Sequence, residues 1–367
     1  MCMSVMTQER EALKGAVADY LDATFPIDKV HRIANGKEDV SAGEWTKAAQ
    51  GLGLAGLVIP EEFGGQGASL GELGVVLQEF GRTLAPLPML SSAALGTVPF
   101  LVCDNANVSK PYLEALAAGT ATAALALSEA ANQWPATINN TVATQNGDTW
   151  TVTGSKTFIL DNGGADFYIV SASTPQGPGI FVVNSADVQR TDLNAMDLTR
   201  KQSSISFNNA KATALAVNAQ SQLTQIQNLA ATLVASEQLG GADAILKMMV
   251  EYAKMRVQFG RIIGSFQAIK HMCANTLVEV EQARGAAEDA ADRAAQGEDI
   301  TLSASLAKIA CSEVFSDATL TNIRVHGGIG YTWEHPAHLY FRRARSTNAL
   351  FGSPVQHREA LLVGLGY

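Results

Sequence analysis

Arg256-Val257-Gln258-Phe259-Gly260-Arg261, with Gly264, Phe266 and Gln267 close behind, and His326-Gly327-Gly328-Ile329-Gly330-Tyr331, with Glu334, Pro336 and Arg342 after it, are the two stretches that decide how this chain reads. The first closes a long helical run and presents a planar guanidinium, the side chain that suits phosphate oxygens. The second places two glycines side by side, which either end a helix or let the backbone come close to a ligand. Neither segment alone names an activity.

The surrounding texture gives the fold. TQIQNLAATLVASEQLGGADAILKMMVEYAKMRVQFG (224–260) reads as one helix with Gly240-Gly241 as a close-packing point. Residues 266–296 and 301–327 read as two more. Upstream, from residue 119 to 221, WTVTGSKTFIL, ADFYIVSAS and GIFVVN are strand-like, with Asn146-Gly147-Asp148 and Asn162-Gly163-Gly164 as turns. Residues 1–118 are helical again, broken by the loop Ile59-Pro60-Glu61-Glu62-Phe63-Gly64-Gly65-Gln66-Gly67. The expectation is an α+β multidomain chain: an N-terminal α-helical domain (1–118), a central β-barrel-like or sandwich domain (119–221) and a C-terminal four-helix bundle (222–367).

Composition narrows the class. Of 367 residues 47% are hydrophobic and 17% charged, against roughly 25% charged in an average soluble domain, so large cores are available. The formal charge of −9 argues against nucleic acid and against an anionic membrane surface as partners. Cys2, Cys103, Cys273 and Cys311 form no CxxC pair and read as reduced thiols. No signal peptide or membrane-spanning run is apparent, and a cytoplasmic protein is expected. The histidines read as too dispersed for a metal site.

The two C-terminal motifs, the IPEEFGG loop and the α–β–α order together resemble the acyl-CoA dehydrogenase family over essentially the whole chain. The resemblance implies a flavoenzyme that oxidises the Cα–Cβ bond of an acyl-CoA thioester with FAD and passes electrons to an electron-transfer flavoprotein. It also implies a tetramer in which each FAD spans two chains. On that pattern Arg256 would meet the neighbour's pyrophosphate, Gln258 and Phe259 would complete the contact, and Phe266 and Gln267 would approach the adenine. Gly327 and Gly328 would let the backbone near the dinucleotide, and Arg324 stands where the family commonly has glutamine.

The half of the site that a chain keeps for itself departs from the family. Ser128-Glu129-Ala130-Ala131-Asn132-Gln133-Trp134 replaces the family's Thr-Glu-Pro and Gly-Ser-Asp loop. Phe158-Ile159-Leu160 replaces Trp-Ile-Thr, and leucine cannot hydrogen-bond a flavin edge. Leu350-Phe351-Gly352-Ser353 replaces Tyr-Glu-Gly-Thr, putting Phe351 where the catalytic carboxylate would stand. The alternative base position, on the long helix, falls at Ala230; the nearest acid, Glu237, is seven residues on, about 10 Å along a helix. Glu334 reads as structural, paired with Arg342.

Three losses on one half and retention of the other imply a division of labour. The chain resembles one subunit of the α2β2 dehydrogenases of actinobacterial steroid side-chain degradation, with its flavin ring and base in a homologous partner chain. Two readings compete: a homotetramer with Glu237 as a relocated base, and a non-catalytic scaffold.

Overall fold

Small residues set the helix crossings. A Cβ on Gly240 would lie 1.8 Å from the Gln78 carbonyl oxygen, and one on Gly81 would lie 1.9 Å from that of Glu237. The helices bearing these residues therefore touch backbone to backbone. Gly241 faces the Phe315 ring at 2.4 Å in the same sense. The close-packing role read into Gly240-Gly241 is what the structure shows.

The computed structural model describes residues 7–41, 43–130, 134–135, 138 and 140–366. Helices α1 (Gln8–Thr24), α2 (Ile27–Ala34), α3 (Glu44–Leu52), α4 (Leu70–Thr83), α5 (Val98–Cys103) and α6 (Ala106–Ala117) come first. Ser69 caps α4 through a reciprocal box with Glu72, which starts the helix directly after the glycine loop. Strands β1 (Ala123–Ala126), β2 (Val142–Asn146), β3 (Thr149–Leu160), β4 (Phe167–Thr174), β5 (Gly177–Asn184), β6 (Val188–Leu193) and β7 (Gln202–Ala216) follow. The pairings run β4-β2-β3-β7-β5 and return to β4, closing a small barrel from which β1 and β6 extend. Tyr168, Val170, Phe181, Val183, Ile205 and Phe207 pack in its interior. Ile169, Ile180 and Val182, from the same strands, join the main helical core instead. Buried on both sides, β4 shows a continuous apolar run rather than alternation.

Helix α7 (Gln220–Met255) leads to a two-residue-per-strand hairpin, β8 (Val257–Gln258) and β9 (Arg261–Ile262), then α8 (Gln267–Ala295), α9 (Thr301–His326), α10 (Ala337–Ala349) and α11 (Pro354–Gly364). The sequence reading carried α7 on to residue 260; it stops at Met255. Arg256 is extended, and Phe259 and Gly260 turn the chain at φ +53° and +74°. Among the described residues no helix is long and apolar enough to cross a membrane.

Candidate functional site

The two deciding motifs meet at one end of the helical bundle. Met249 and Ala253 of α7, Ile263 after the hairpin and Val325 of α9 form a small core of their own. The Tyr252 ring stacks on His326, centroids 4.0 Å apart, and the Arg256 carbonyl accepts from the Ile263 amide at 2.8 Å. On this base stand Arg256, Gln258, Phe259 and Arg324, all exposed, with Phe259 89% accessible. Phe266 is half-buried under the Arg261 guanidinium, 4.1 Å away, and Gln267 opens α8. Gly327 sits at φ +64°, ψ −139°, and a Cβ on Gly327 or Gly328 would meet only open space. Exposed guanidiniums without an ion-pair partner beside an open glycine turn fit a polyanion such as a dinucleotide pyrophosphate.

The second feature is a cleft of about 400 Å³ between the barrel and α10. A bulge between Lys156 and Ile159 breaks the β3–β7 ladder and turns Phe158 to φ +57° and into the cleft. Leu160 re-enters the ladder opposite Gln202, is buried in the main core and does not line the cleft. From the other wall come Leu350 and Phe351, the latter at φ +52°. The Thr157 hydroxyl is engaged by that of Ser204 at 2.6 Å, and Ser353 caps α11. Among the described residues no carboxylate lines the cleft, and its one ionisable side chain is Arg345, which makes no ion pair there. Ala131, Asn132 and Gln133 of the replaced loop lie outside the described residues, and none is acidic.

Glu129, the acid of that loop, is structural. Its carboxylate accepts from the Asn140 and Thr141 amides and from Lys156 Nζ at 3.1 Å. Burial pushes it up, but these bonds and the Lys156 charge outweigh that and hold it at about 2. Burial pushes the Lys156 amine down to about 8.

Ala230 is buried in the main core and not at the cleft. Glu237 is likewise buried and absent from the cleft wall. It pairs with Arg200 and, at 3.3 Å, with Arg343, whose Nε also bonds Asp197. Thr199 donates twice to Asp197 and accepts from Arg343. Burial raises the Asp197 carboxyl, yet Arg343, Arg200 and Thr199 together hold it below its ordinary value. This cluster ties the β6–β7 connection, whose residues 194–196 line the cleft, to α7 and α10. No residue pattern announces it: Asp197, Arg200 and Arg343 converge only in space.

Behind α10, fully buried Lys308 donates to Ser312 Oγ and to the Thr347 and Asn348 carbonyls at 2.9–3.1 Å, fixing the turn before Leu350. Burial pushes its amine down to about 7, against a smaller upward pull from Cys311. The folded value lies below the unfolded one, so between about pH 7 and 10.5 the unfolded chain holds the extra proton and stability rises with pH. Lys308→Met removes this titration, so its stability relative to wild type is expected to be most favourable at pH 6. That relative stability should fall by up to about 1.4 kcal/mol per pH unit toward pH 9. A pH-independent difference in urea midpoints would contradict this.

Two expectations need correction. Glu334 makes no ion pair among the described residues; Arg342 instead covers the Trp333 ring at 4.8 Å and donates to the Met196 carbonyl. Two of the histidines read as dispersed have histidine neighbours: His338 lies 3.3 Å from His31 through their Nε2 atoms, and His335 packs on His326, while His357 lies apart beside Trp134. Among the described residues no group of three acidic, histidine or cysteine side chains is placed to hold a metal.

The family model "Acyl-CoA dehydrogenase, N-terminal domain" matches residues 7–120, and "Acyl-CoA dehydrogenase, C-terminal domain" matches residues 221–362. Acyl-CoA dehydrogenase IpdE2 of Mycolicibacterium smegmatis is 31% identical over 359 residues, covering 97% of this chain and 98% of that one. Among solved structures, a Tcur3481-Tcur3483 steroid ACAD variant superposes with a TM-score of 0.87 at 26% identity over 99% of each chain. The ChsE4-ChsE5 complex of Mycobacterium tuberculosis shares the fold, with a TM-score of 0.89 at 24% identity, over 100% of this chain and 99% of that one.

Proposed function

This chain belongs to the acyl-CoA dehydrogenase family, and on that premise we propose that it is one subunit of a heteromeric, FAD-dependent acyl-CoA dehydrogenase. A homologous partner chain supplies the flavin-ring site and the catalytic glutamate. The observation that carries the reading is a cleft lined by no carboxylate among the described residues: Phe351 lines it, where the resemblance puts the base, and Glu237 is held between two guanidiniums. A base removing an α proton must reach it at hydrogen-bond distance, and no acid of this chain lines that space.

FAD, when bound, accepts the β hydrogen as hydride. This chain's own contribution is to binding. Arg256 supplies a fork of donors to the pyrophosphate, Gln258 and Arg324 add donors beside it, and the open backbone at Gly327 and Gly328 admits close approach. Phe259 would complete the pyrophosphate contact with Gln258, and Phe266 and Gln267 would approach the adenine end. A steroid-type acyl-CoA is the substrate class the reading favours, by likeness to the steroid ACAD, and an electron-transfer flavoprotein is the electron acceptor.

Flavin content tests the division of labour. Expressed alone, the chain is expected to be colourless. Co-expressed with its homologous partner, it should yield half an FAD per chain, two per α2β2 tetramer. One FAD per chain from this protein alone would refute the reading and favour the homotetramer.

A further inference from the structure

A second space of about 480 Å³ shares no lining residue with the cleft. It is walled by the β4–β5 turn (Ser173, Thr174, Pro178), the first turns of α7 (Thr224, Asn228) and Trp134. Among the described residues its lining carries no charge and mixes polar with apolar side chains. Between the two spaces stands one packed unit. The Trp134 ring lies against the His357 imidazole, centroids 5.0 Å apart, and His357 Nε2 is 2.8 Å from the Phe351 carbonyl. A carbonyl only accepts, so Nε2 carries the proton, and Nδ1 takes its bond from the Ser305 hydroxyl at 3.1 Å. Gly352 is packed closely against this unit: a Cβ there would come within 2.5 Å of His357 Nε2 and 2.7 Å of Trp134 Cδ1.

We infer that Trp134, His357 and Phe351 form a stopper that separates the two spaces and denies an acyl-CoA this chain's cleft. A thioester carries its reacting carbons at the end of a long pantetheine arm, so arm and acyl group need one continuous passage. Here the two spaces, each lined by both polar and apolar side chains, are each large enough for a part of such a ligand, and the stack closes the way between them. His357 holds the stopper from behind: tied to Ser305 of α9 and to the Phe351 backbone, it cannot turn aside without losing both bonds. The inference rests on the proposed division of labour and adds why one chain of the pair cannot take substrate even if a base were restored.

The test is a count of bound octanoyl-CoA by equilibrium dialysis of the co-expressed, flavin-loaded complex, with flavin measured in parallel. Wild type is expected to bind one per heterodimer, and Trp134→Ala/His357→Ala is expected to bind two, with flavin unchanged. Phe351→Ala trims the tip of the stopper without touching its base and should give the same gain if the double variant does not assemble. Two bound per wild-type heterodimer, or one in an opened complex that keeps its flavin, would overturn the stopper. A flavin count of one per chain would overturn the division of labour instead, so the two failures are told apart.

Discussion

Arg256→Ala is expected to strip most of the flavin from the co-expressed complex while leaving this chain folded. The side chain is exposed and makes no ion pair among the described residues, so its removal leaves no buried partner behind. Its value lies in the fork of donors it offers to phosphate oxygens. Hydrogen bonds to a charged group are worth about 1.5–3 kcal/mol, which corresponds to a loss of affinity of roughly 10- to 150-fold. Arg256→Lys should recover only part of it, because an ammonium keeps the charge and loses the paired geometry. Dissociation of FAD followed by flavin fluorescence reads both variants against wild type. The scaffold reading expects no change in flavin affinity, and a homotetramer expects the chain to hold flavin without a partner. A change at Phe158 or Phe351 in this chain should leave flavin affinity untouched on the division-of-labour reading, since the ring lies in the other subunit.

The parts of this protein legible in the sequence are those written in local periods. The long helices, three of the seven strands β1–β7 and the contact at Gly240-Gly241 follow from spacing and from the absence of a side chain. The hairpin after α7 was not legible, because nothing in Arg-Val-Gln-Phe forbids a helix and only Gly260 marks a turn; Phe259 adopts φ +53° because the fold requires it. The short strands Ala123–Ala126 and Val142–Asn146 lack the β-branched runs that mark a strand. At the cleft, resemblance pointed to Leu160 and Phe351 as places where hydrogen-bonding and acidic groups are absent. It did not point to Phe158, which reaches the cleft through a bulge that no residue pattern announces. The buried charges were invisible for a different reason: the partners of Glu237 lie 37 and 106 residues away, and separation along the chain carries no trace of such pairing.

That buried cluster sets the second large effect. Arg343 is the one side chain bonded to both Asp197 and Glu237, and all three are at most 3% exposed. Arg343→Leu leaves two carboxylates facing the single guanidinium of Arg200, out of reach of water. Breaking a buried pair by removing one partner costs about 3–5 kcal/mol. A comparable loss is expected here, seen as a marked fall in the urea midpoint of the complex. Adding Asp197→Leu to the same chain removes the surplus negative charge and should recover part of the loss, an outcome that mere disturbance of packing would not produce. Glu237→Gln separates structure from chemistry at this position. It keeps an acceptor for Arg200 but removes the charge that balances the cluster, so stability falls. The turnover of folded complex should nevertheless stay far above the ~10²–10⁴-fold loss that follows removal of a general base. If turnover collapses by that factor while the folded fraction holds, Glu237 is the base and the homotetramer reading prevails. A carboxylate held by two guanidiniums and absent from the cleft wall is poorly placed for that work. Its ion pairs instead hold the cleft's β6–β7 wall against α7 and α10.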